Sequence, residues 1–484
     1  MASVTLETET LFESFFMPGI SKSELNLKKI TCGSSRKIEV MAPNVTPEVL
    51  RKSIQHIKNS GRQYLKDRST NEIVEIIDQA HSNWKNPNYD LRKFALEVLP
   101  ITTGLSSGMV ELSIDTVTNM YDKHGLLQMI ESELGESPEV VDRFVPKKGC
   151  DDLLVRLYFS KPELVTTILA GNAIGPYSVS LIRDLLVKSA TLGKYSQQEP
   201  CFVNLYARSL QNVEPKIAET ICITYWDHED REVQKTAFDE SDVVVVYGNS
   251  RTVDEIRKDV PINVKTIPYG LKIGFSVIGR EYLYDEKSAL NVAAKLALDA
   301  SLYNQHACFS PQVVYVEEGG KITPRDFAKI SAAEMEKFNK IMPRGKISLD
   351  ESSEIQQIRG EYEFRDDAGI WCSSPGTDWT VIYEPRKEFE LSCGNRVIRV
   401  KPISDISEVK DLVKPFGPYL QTIGVELHQD RLLNFSGDMG KIGVNRIVYV
   451  GNMTNPKVGE SHDGSYGLRD LIVDPRWVTV EKAK

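Results

Sequence analysis

The chain has 484 residues, 41% of them hydrophobic and 26% charged, a length that calls for two or three cores and a balance that belongs to a globular protein. Its net charge of −9, without a basic cluster, speaks against nucleic acid as the main partner, and no apolar run is long enough to cross a bilayer. Seven cysteines, an odd number with no Cys-x-x-Cys pair, argue against a disulfide framework and against a zinc site, so no metal is expected. The stretch Met1 to Gly19 mixes acidic and aromatic residues without a basic start or a signal-type core, which points to the cytoplasm.

After an irregular start, Lys37–Val40 reads as a strand and Thr46-Pro47-Glu48 as a helix start. Thr46 can cap, Pro47 fits the first turn, and Glu48 suits the positive end of the dipole. Amphipathic patterns over Asn71–Trp84, Tyr89–Leu99 and Ser107–Met120 make a helical N-terminal region without site chemistry. His56, His81 and His124 read there as surface or packing residues. From Val165 strands and helices alternate. The strands are Val165–Leu169, Ala190–Lys194, Ile221–Trp226, Val243–Tyr247 and Val264–Tyr269; the helices are Val179–Val187, Cys201–Leu210, Val233–Phe238 and Thr252–Lys258. This succession predicts right-handed crossovers and a parallel sheet, most clearly at Asp242-Val243-Val244-Val245-Val246, whose β-branched run suits a strand covered on both faces. Nucleotides bind such sheets at the carboxyl ends of the strands.

An Ala-rich buried helix is expected over Lys287–Leu302, then a tight connection, then a strand at Val313–Val316. The last third carries another α/β succession: helix Ile322–Ile341, strands Trp379–Tyr383 and Asn395–Val400, helix Ser407–Val413, strand Leu420–Leu427. Ser348–Thr377, charged and punctuated by Gly and Pro, reads as a surface excursion. The connection Asn304-Gln305-His306-Ala307-Cys308-Phe309-Ser310-Pro311-Gln312 is where chemistry is expected, because a thiol between two core elements can be pre-aimed and its thiolate stabilised by backbone N–H groups. Taken alone, Cys308 reads more readily as a small buried hydrophobe.

That run resembles the nucleophile segment of the LuxC-type long-chain fatty acyl-CoA reductases, the reductase component of the fatty acid reductase of luminous bacteria and a branch of the aldehyde dehydrogenase superfamily. Leu169-Ala170-Gly171-Asn172, Tyr225-Trp226-Asp227-His228, Asp242 to Gly248 and Ser461-His462-Asp463-Gly464 agree with it in the same order. The resemblance implies an aldehyde-dehydrogenase-like α/β fold, with a Rossmann-like cofactor domain, an α/β catalytic domain and a helical N-terminal region. The expected division is 1–286 for the helical region and dinucleotide-binding domain, 287–455 for the catalytic domain, and 456–484 for a segment returning to the cofactor domain or to an oligomer interface.

The resemblance also implies roles for residues. Cys308 is the nucleophile, and Asn172, with the backbone N–H of Cys308, forms the oxyanion hole, although an Asn at such a turn also serves as a plain cap. Lys194 matches the lysine at the adenosine ribose, where its ammonium would favour a 2′-phosphate, with Ser196 beside it. Gly248, Asn249 and Ser250 form the turn into a helix facing the cofactor's diphosphate. His462 is a candidate proton donor or a structural residue, whereas His306 is not expected to be the base. Where oxidative relatives carry a glutamate that activates water, this chain has Pro268, so an acyl-cysteine would be reduced rather than hydrolysed. The expected activity is NADPH-dependent reduction of a long-chain acyl-CoA to the aldehyde. An acyl-protein synthetase partner and homo-oligomerisation, with Trp477–Val480 pairing at an edge, are further expectations. A short-chain acylating aldehyde dehydrogenase, an acyl-phosphate reductase and a thiol acyltransferase without redox activity remain open alternatives.

Overall fold

A computed structural model describes residues 12–33, 37–171 and 174–482. They fall into two compact units. The first takes in Val110–Gly270 with the chain up to Thr103 and from Lys457 on; the second is Gly104–Met109 with Leu271–Pro456. No helix among the described residues is long and apolar enough to cross a membrane.

The first unit opens with an antiparallel pair, β1 (Leu27–Cys32) and β2 (Ile38–Pro43). Helices α1 (Pro47–Ser60), α2 (Thr70–Lys85), α3 (Asp90–Thr103), α4 (Ser107–Met120) and α5 (Lys123–Leu134) follow, the fourth beginning within the second unit. Thr46 caps α1 by accepting from the Val49 N–H at 3.3 Å, and Ser69 with Glu72 forms a capping box on α2. His81 is fully buried, within 2.8 Å of both the Tyr206 hydroxyl and the Tyr121 carbonyl. Burial pushes its pKa down to about 4, so it is a neutral packing residue.

A short strand β3 (Val145–Pro146) pairs with β4 (Leu153–Tyr158), and β4 pairs antiparallel on its other side with Arg476–Glu481. The nucleotide-type succession is β5 (Leu164–Ile168), α6 (Gly175–Leu186), β6 (Ala190–Lys194), α7 (Phe202–Val213), α8 (Pro215–Ala218), β7 (Ile221–Thr224), α9 (Arg231–Asp239), β8 (Val243–Tyr247), α10 (Ser250–Asp259) and β9 (Lys265–Tyr269). The five strands are parallel in the order β7-β6-β5-β8-β9. Val243 to Val246 are buried on both faces of β8. Each such side chain contributes about 1.5–3 kcal/mol, against about 1 kcal/mol for a helix cap, so the apolar run dominates the placement of this strand.

The second unit is a seven-stranded sheet in the order β12-β13-β14-β11-β10-β15-β16. Its strands are β10 (Ile273–Ile278), β11 (Pro311–Glu317), β12 (Gly369–Cys372), β13 (Thr380–Tyr383), β14 (Val397–Ile403), β15 (Leu420–Glu426) and β16 (Arg446–Tyr449), all parallel to their neighbours except β12. Helices α11 (Glu286–Ser301), α12 (Pro324–Ile341), α13 (Leu349–Glu363), α14 (Glu408–Val413) and α15 (Gln429–Gly440) connect them. The expected boundary at 286/287 falls inside this unit, because β10, buried at all six positions, is an interior strand of its sheet.

The expected surface excursion at 348–377 is instead α13 followed by β12, which extends the sheet. Its charge misleads because Arg359 is buried. Its guanidinium donates to Thr380 Oγ1 at 3.0 Å, Gly376 O at 2.8 Å, Ser373 Oγ at 3.2 Å and Trp379 O at 2.9 Å, doing with hydrogen bonds what an apolar residue does by packing.

Glu317, fully buried at the end of β11, accepts from Arg431 Nη2 and Arg280 Nη2 at 2.7 Å each, and from the Arg280 N–H at 3.0 Å. Burial raises its pKa, but the two guanidiniums and the backbone donor outweigh that and hold it at about 2, below the ordinary 4.5. A carboxylate lowered in the folded state stabilises above the unfolded pKa, and the contribution is lost as pH falls from 4.5 towards 2. Glu317→Gln is therefore expected to lower Tm at pH 7 and to flatten the fall in Tm across that window; an unchanged acid limb by thermal denaturation would refute the assignment.

Candidate active site

The route to Cys308 begins with α11, capped by Asp285, whose Oδ1 accepts from the Ser288 N–H at 2.9 Å. Ala289, Ala293, Ala297 and Ala300 keep its buried face thin, and α12 packs into the same core through Phe327, Ala328, Ala332 and Met335. Asp299, buried on α11, accepts from the Gly451 N–H at 2.5 Å and the Met453 N–H at 3.2 Å. Burial raises its pKa to about 7 against the pull of these donors.

Beyond Ser301 the chain leaves the helix through three consecutive left-handed residues, Tyr303 (φ 54°), Asn304 (φ 52°) and Gln305 (φ 64°). None is glycine. Such a conformation costs on the order of 1 kcal/mol or more per residue and persists only where the surroundings over-determine it. The surroundings here are the turn before β14, itself left-handed at Gly394, Asn395 and Arg396 (φ 73°, 54° and 66°). The Asn304 carbonyl accepts from the Asn395 N–H at 2.8 Å. The Gln305 amide, 1% exposed, donates to Pro311 O at 2.8 Å and Val397 O at 2.9 Å and accepts from the Val397 N–H at 2.8 Å. Arg396, fully buried, donates to Asn339 Oδ1 at 2.8 Å and Met342 O at 3.0 Å, holding the turn from behind. Burial, helped by the neighbouring Arg344, lowers its pKa to about 9.

Cys308 is half-buried, and its turn is closed by the Ser310 N–H donating to Ala307 O at 2.9 Å. A Cβ on Gly274 would stand 2.7 Å from Phe309 O, so β10 runs directly against the backbone beside the thiol. None of the seven cysteines is in a disulfide. His306 is turned aside, its Nε2 lying 3.0 Å from Asn395 Oδ1.

The other candidates lie in the first unit, at the carboxyl edge of its sheet. From β5 the chain crosses to β6 on one side, whereas β8 lies on the other, so the strand order switches between them. A crevice forms at such a point. Around it lie Gly171 after β5, Lys194 at the end of β6 and Ser196 after it, Tyr225 and Trp226 after β7, and Gly248, Asn249 and Ser250 after β8. Asn172 lies outside the described residues. A Cβ on Gly171 would stand 2.5 Å from the Gln198 side chain and 2.7 Å from Ser196 Oγ, so only glycine fits.

The Lys194 ammonium stands 5.7 Å from the Tyr225 ring centroid and 5.6 Å from that of Trp226. Burial lowers its pKa, with Asp227 pulling the other way. Among the described residues it has no hydrogen bond or ion pair, and its partly buried ammonium lies against the two ring faces. Asn249 caps α10 by accepting from the Thr252 N–H at 2.9 Å, which places the positive end of that helix at the same edge.

His462 sits in a tight hairpin whose two backbone bonds to Ser465 are both 2.9 Å, with Asp463 and Gly464 at φ 53° and 80°, the pattern of a primed turn. Its ring lies 4.7 Å from that of Tyr269, which in turn stacks on Tyr247 at 4.8 Å. Glu133 holds the following segment through the Leu468 N–H at 2.5 Å. Thus Lys194, Ser196, Gly248, Asn249, Ser250 and His462 share the first unit, and Cys308 belongs to the second. Sequence reasoning missed Gln305, Arg396 and Asp299. The visible signal was a polar residue in a core connection.

The chain is 26% identical over 433 residues to a long-chain acyl-protein thioester reductase of Aliivibrio fischeri, covering 86% of this chain and 84% of that protein. It is 26% identical over 435 residues to the protein of the same name from Vibrio harveyi, covering 87% and 84%. Among solved structures it superposes on a salicylaldehyde dehydrogenase from Pseudomonas putida G7, complexed with salicylaldehyde, with a TM-score of 0.73 at 12% identity over 98% of this chain and 99% of that one. A NAD-dependent benzaldehyde dehydrogenase from Corynebacterium glutamicum gives 0.66 at 13% identity over 94% and 95%. The fold is that of the aldehyde dehydrogenases. With the family model of the acyl-CoA reductases (LuxC) matching residues 65–474, the chain belongs to that family.

Proposed function

We propose that this protein reduces a long-chain acyl thioester to the fatty aldehyde with NADPH, through an acyl group carried on Cys308. The observation that supports this most is the loop built at Cys308, where three residues are held left-handed by a buried amide. The Cys308 sulfur attacks the thioester carbonyl carbon, and the bond to the donor sulfur breaks, so that the donor leaves as thiol after taking a proton. Asn172 and the Cys308 N–H are assigned to hold the developing oxyanion, typically the largest single contribution to such a step. His462 is assigned as the proton donor.

The carboxyl edge of the first unit's sheet suits a dinucleotide. Lys194 there is a cation lacking a counter-charge contact, and α10 presents its positive end. A reduced nicotinamide supplies the hydride when bound. The acyl carbon on Cys308 then becomes a thiohemiacetal, whose carbon–sulfur bond breaks to release the aldehyde and restore the thiolate. Pro268 and the buried Tyr269 hydroxyl, whose pKa burial raises, offer no base to activate water, so the acyl-cysteine waits for reduction. Lys194 favours NADPH over NADH because its ammonium can meet a 2′-phosphate.

The relatives' name, long-chain acyl-protein thioester reductase, supports a donor thiol that belongs to a protein beside the CoA of the first reading. We therefore retain an acyl-protein synthetase partner. We also assign Arg476–Glu481, the outermost strand of its sheet, with Trp477, Val478 and Val480 exposed, to self-association. We place the reaction in the cytoplasm.

Cys308→Ser is expected to abolish the acyl adduct seen by intact mass and to lower aldehyde formation by at least about 10³-fold. Retention of both at wild-type levels would overturn the mechanism, and a preference for acetyl-CoA or an acyl phosphate over decanoyl- to palmitoyl-CoA would overturn the substrate. Lys194→Ala is expected to raise the KM for NADPH about 10- to 100-fold, the size of a lost charge-assisted hydrogen bond, with a smaller effect on NADH. Equal effects on both coenzymes in the 340 nm assay would remove the case for NADPH.

A further inference from the structure

We infer that Gln305 is a positioning residue for the reaction at Cys308: its side-chain amide fixes the direction in which the thiol is presented, without touching substrate. The inference rests on the reading of Cys308 as nucleophile.

The geometry is that of a brace. The Nε2 group of Gln305 reaches past Cys308 to the carbonyl of Pro311, closing the seven-residue loop 305–311 across its neck at 2.8 Å. It also donates to the carbonyl of Val397 at 2.9 Å, while Oε1 accepts from the N–H of the same residue at 2.8 Å. An amide has two donors and two acceptor sites. Here both donors and one acceptor are used, with the residue 1% exposed. The thiol's loop is thereby tied to β14 in both bonding directions at a single residue. Pro311 opens β11, which pairs with β14 two residues further on through Val313 and Arg399, so the brace continues the sheet ladder into the loop.

The backbone under load is the left-handed run 303–305. Tyr303 keeps its ring contact with Phe309 at 5.9 Å and Asn304 its bond from the Asn395 N–H, but the Gln305 side chain has no preference of its own for that conformation; without the brace, residue 305 is expected to relax towards the right-handed region and to swing the segment holding Cys308. A displacement of about 1 Å at a reacting atom costs on the order of 10²-fold in rate. A buried glutamine that merely fills space would instead affect the amount of folded protein and leave the rate of the folded fraction alone.

The test uses the full-length protein. Gln305→Leu keeps the volume and deletes all three bonds. Gln305→Glu keeps the acceptor for the Val397 N–H but sets a carboxylate against two carbonyls. Arg359→Gln, which weakens a buried clamp on the Ser373–Trp379 turn, serves as the purely structural comparison. Single-turnover acylation by decanoyl-CoA is followed by intact mass, with peptide mapping of the acyl group, alongside thermal denaturation and the pH profile of Cys308 alkylation by iodoacetamide. For Gln305→Leu the expected result is an acylation rate constant about 10²-fold lower at saturating donor, a half-saturating concentration within about twofold of wild type, and a shifted alkylation profile. Arg359→Gln is expected to lose Tm and burst amplitude at an unchanged rate constant. If Gln305→Leu also loses only Tm and amplitude, Gln305 is structural and the inference fails. If Gln305→Leu does not fold, Gln305→Glu decides by the same criterion. Mapping the wild-type acyl group to a cysteine other than Cys308 would instead overturn the nucleophile assignment itself.

Discussion

Three non-glycine residues in the left-handed region, one after another, form the constraint on which the geometry around Cys308 depends. The chain must turn off α11 and into β11 within a few residues while leaving a thiol half-exposed. A right-handed continuation would carry Cys308 further along the helix. The strain is held by elements distant in sequence: the turn before β14, left-handed in its own right, and the Arg396 guanidinium behind it. Two strained turns bonded to each other are stable where either alone would relax.

Charge is handled differently in the two units. In the second, the buried Glu317 meets two guanidiniums, and Lys401 meets Glu384 at 2.9 Å with both side chains almost wholly buried. These pairs are internally satisfied, as buried ions must be. At the carboxyl edge of the first unit's sheet, Lys194 stands against aromatic faces with only the electrostatic pull of Asp227. That contrast sets Lys194 apart from Lys401, although by residue type the two look no different.

How much of this was legible beforehand follows from where each signal resides. Val243–Tyr247 and the Ala-rich helix before Cys308 were readable because burial on both faces, or tight helix packing, writes itself into consecutive residues. β10 was not read, since Ile273–Ile278 follows β9 after only three residues and looks like its continuation. The segment 348–377 was misread because a buried arginine satisfied by carbonyls carries the same letter as a solvated one. Within the site, Cys308 was singled out by the family resemblance of the run around it rather than by its own neighbourhood. The role of Gln305 could not be read, because its partner Val397 lies 92 residues away and its importance lies in a backbone angle rather than in a residue type.

The strand partnership between β4 and Arg476–Glu481 has a temporal side. Tyr158 leaves the ribosome 318 residues ahead of its partner Arg476, a lag of roughly 15–60 s at ordinary elongation rates. Throughout that interval one flank of β4 has no ladder to join, and by its end Leu271–Pro456, contiguous apart from the small Gly104–Met109 piece, has emerged in full. Nascent molecules thus pass through a stage in which the second unit is complete while the first still offers an unpaired β edge, the stage at which a chaperone or a neighbouring polysome product would find a place to bind.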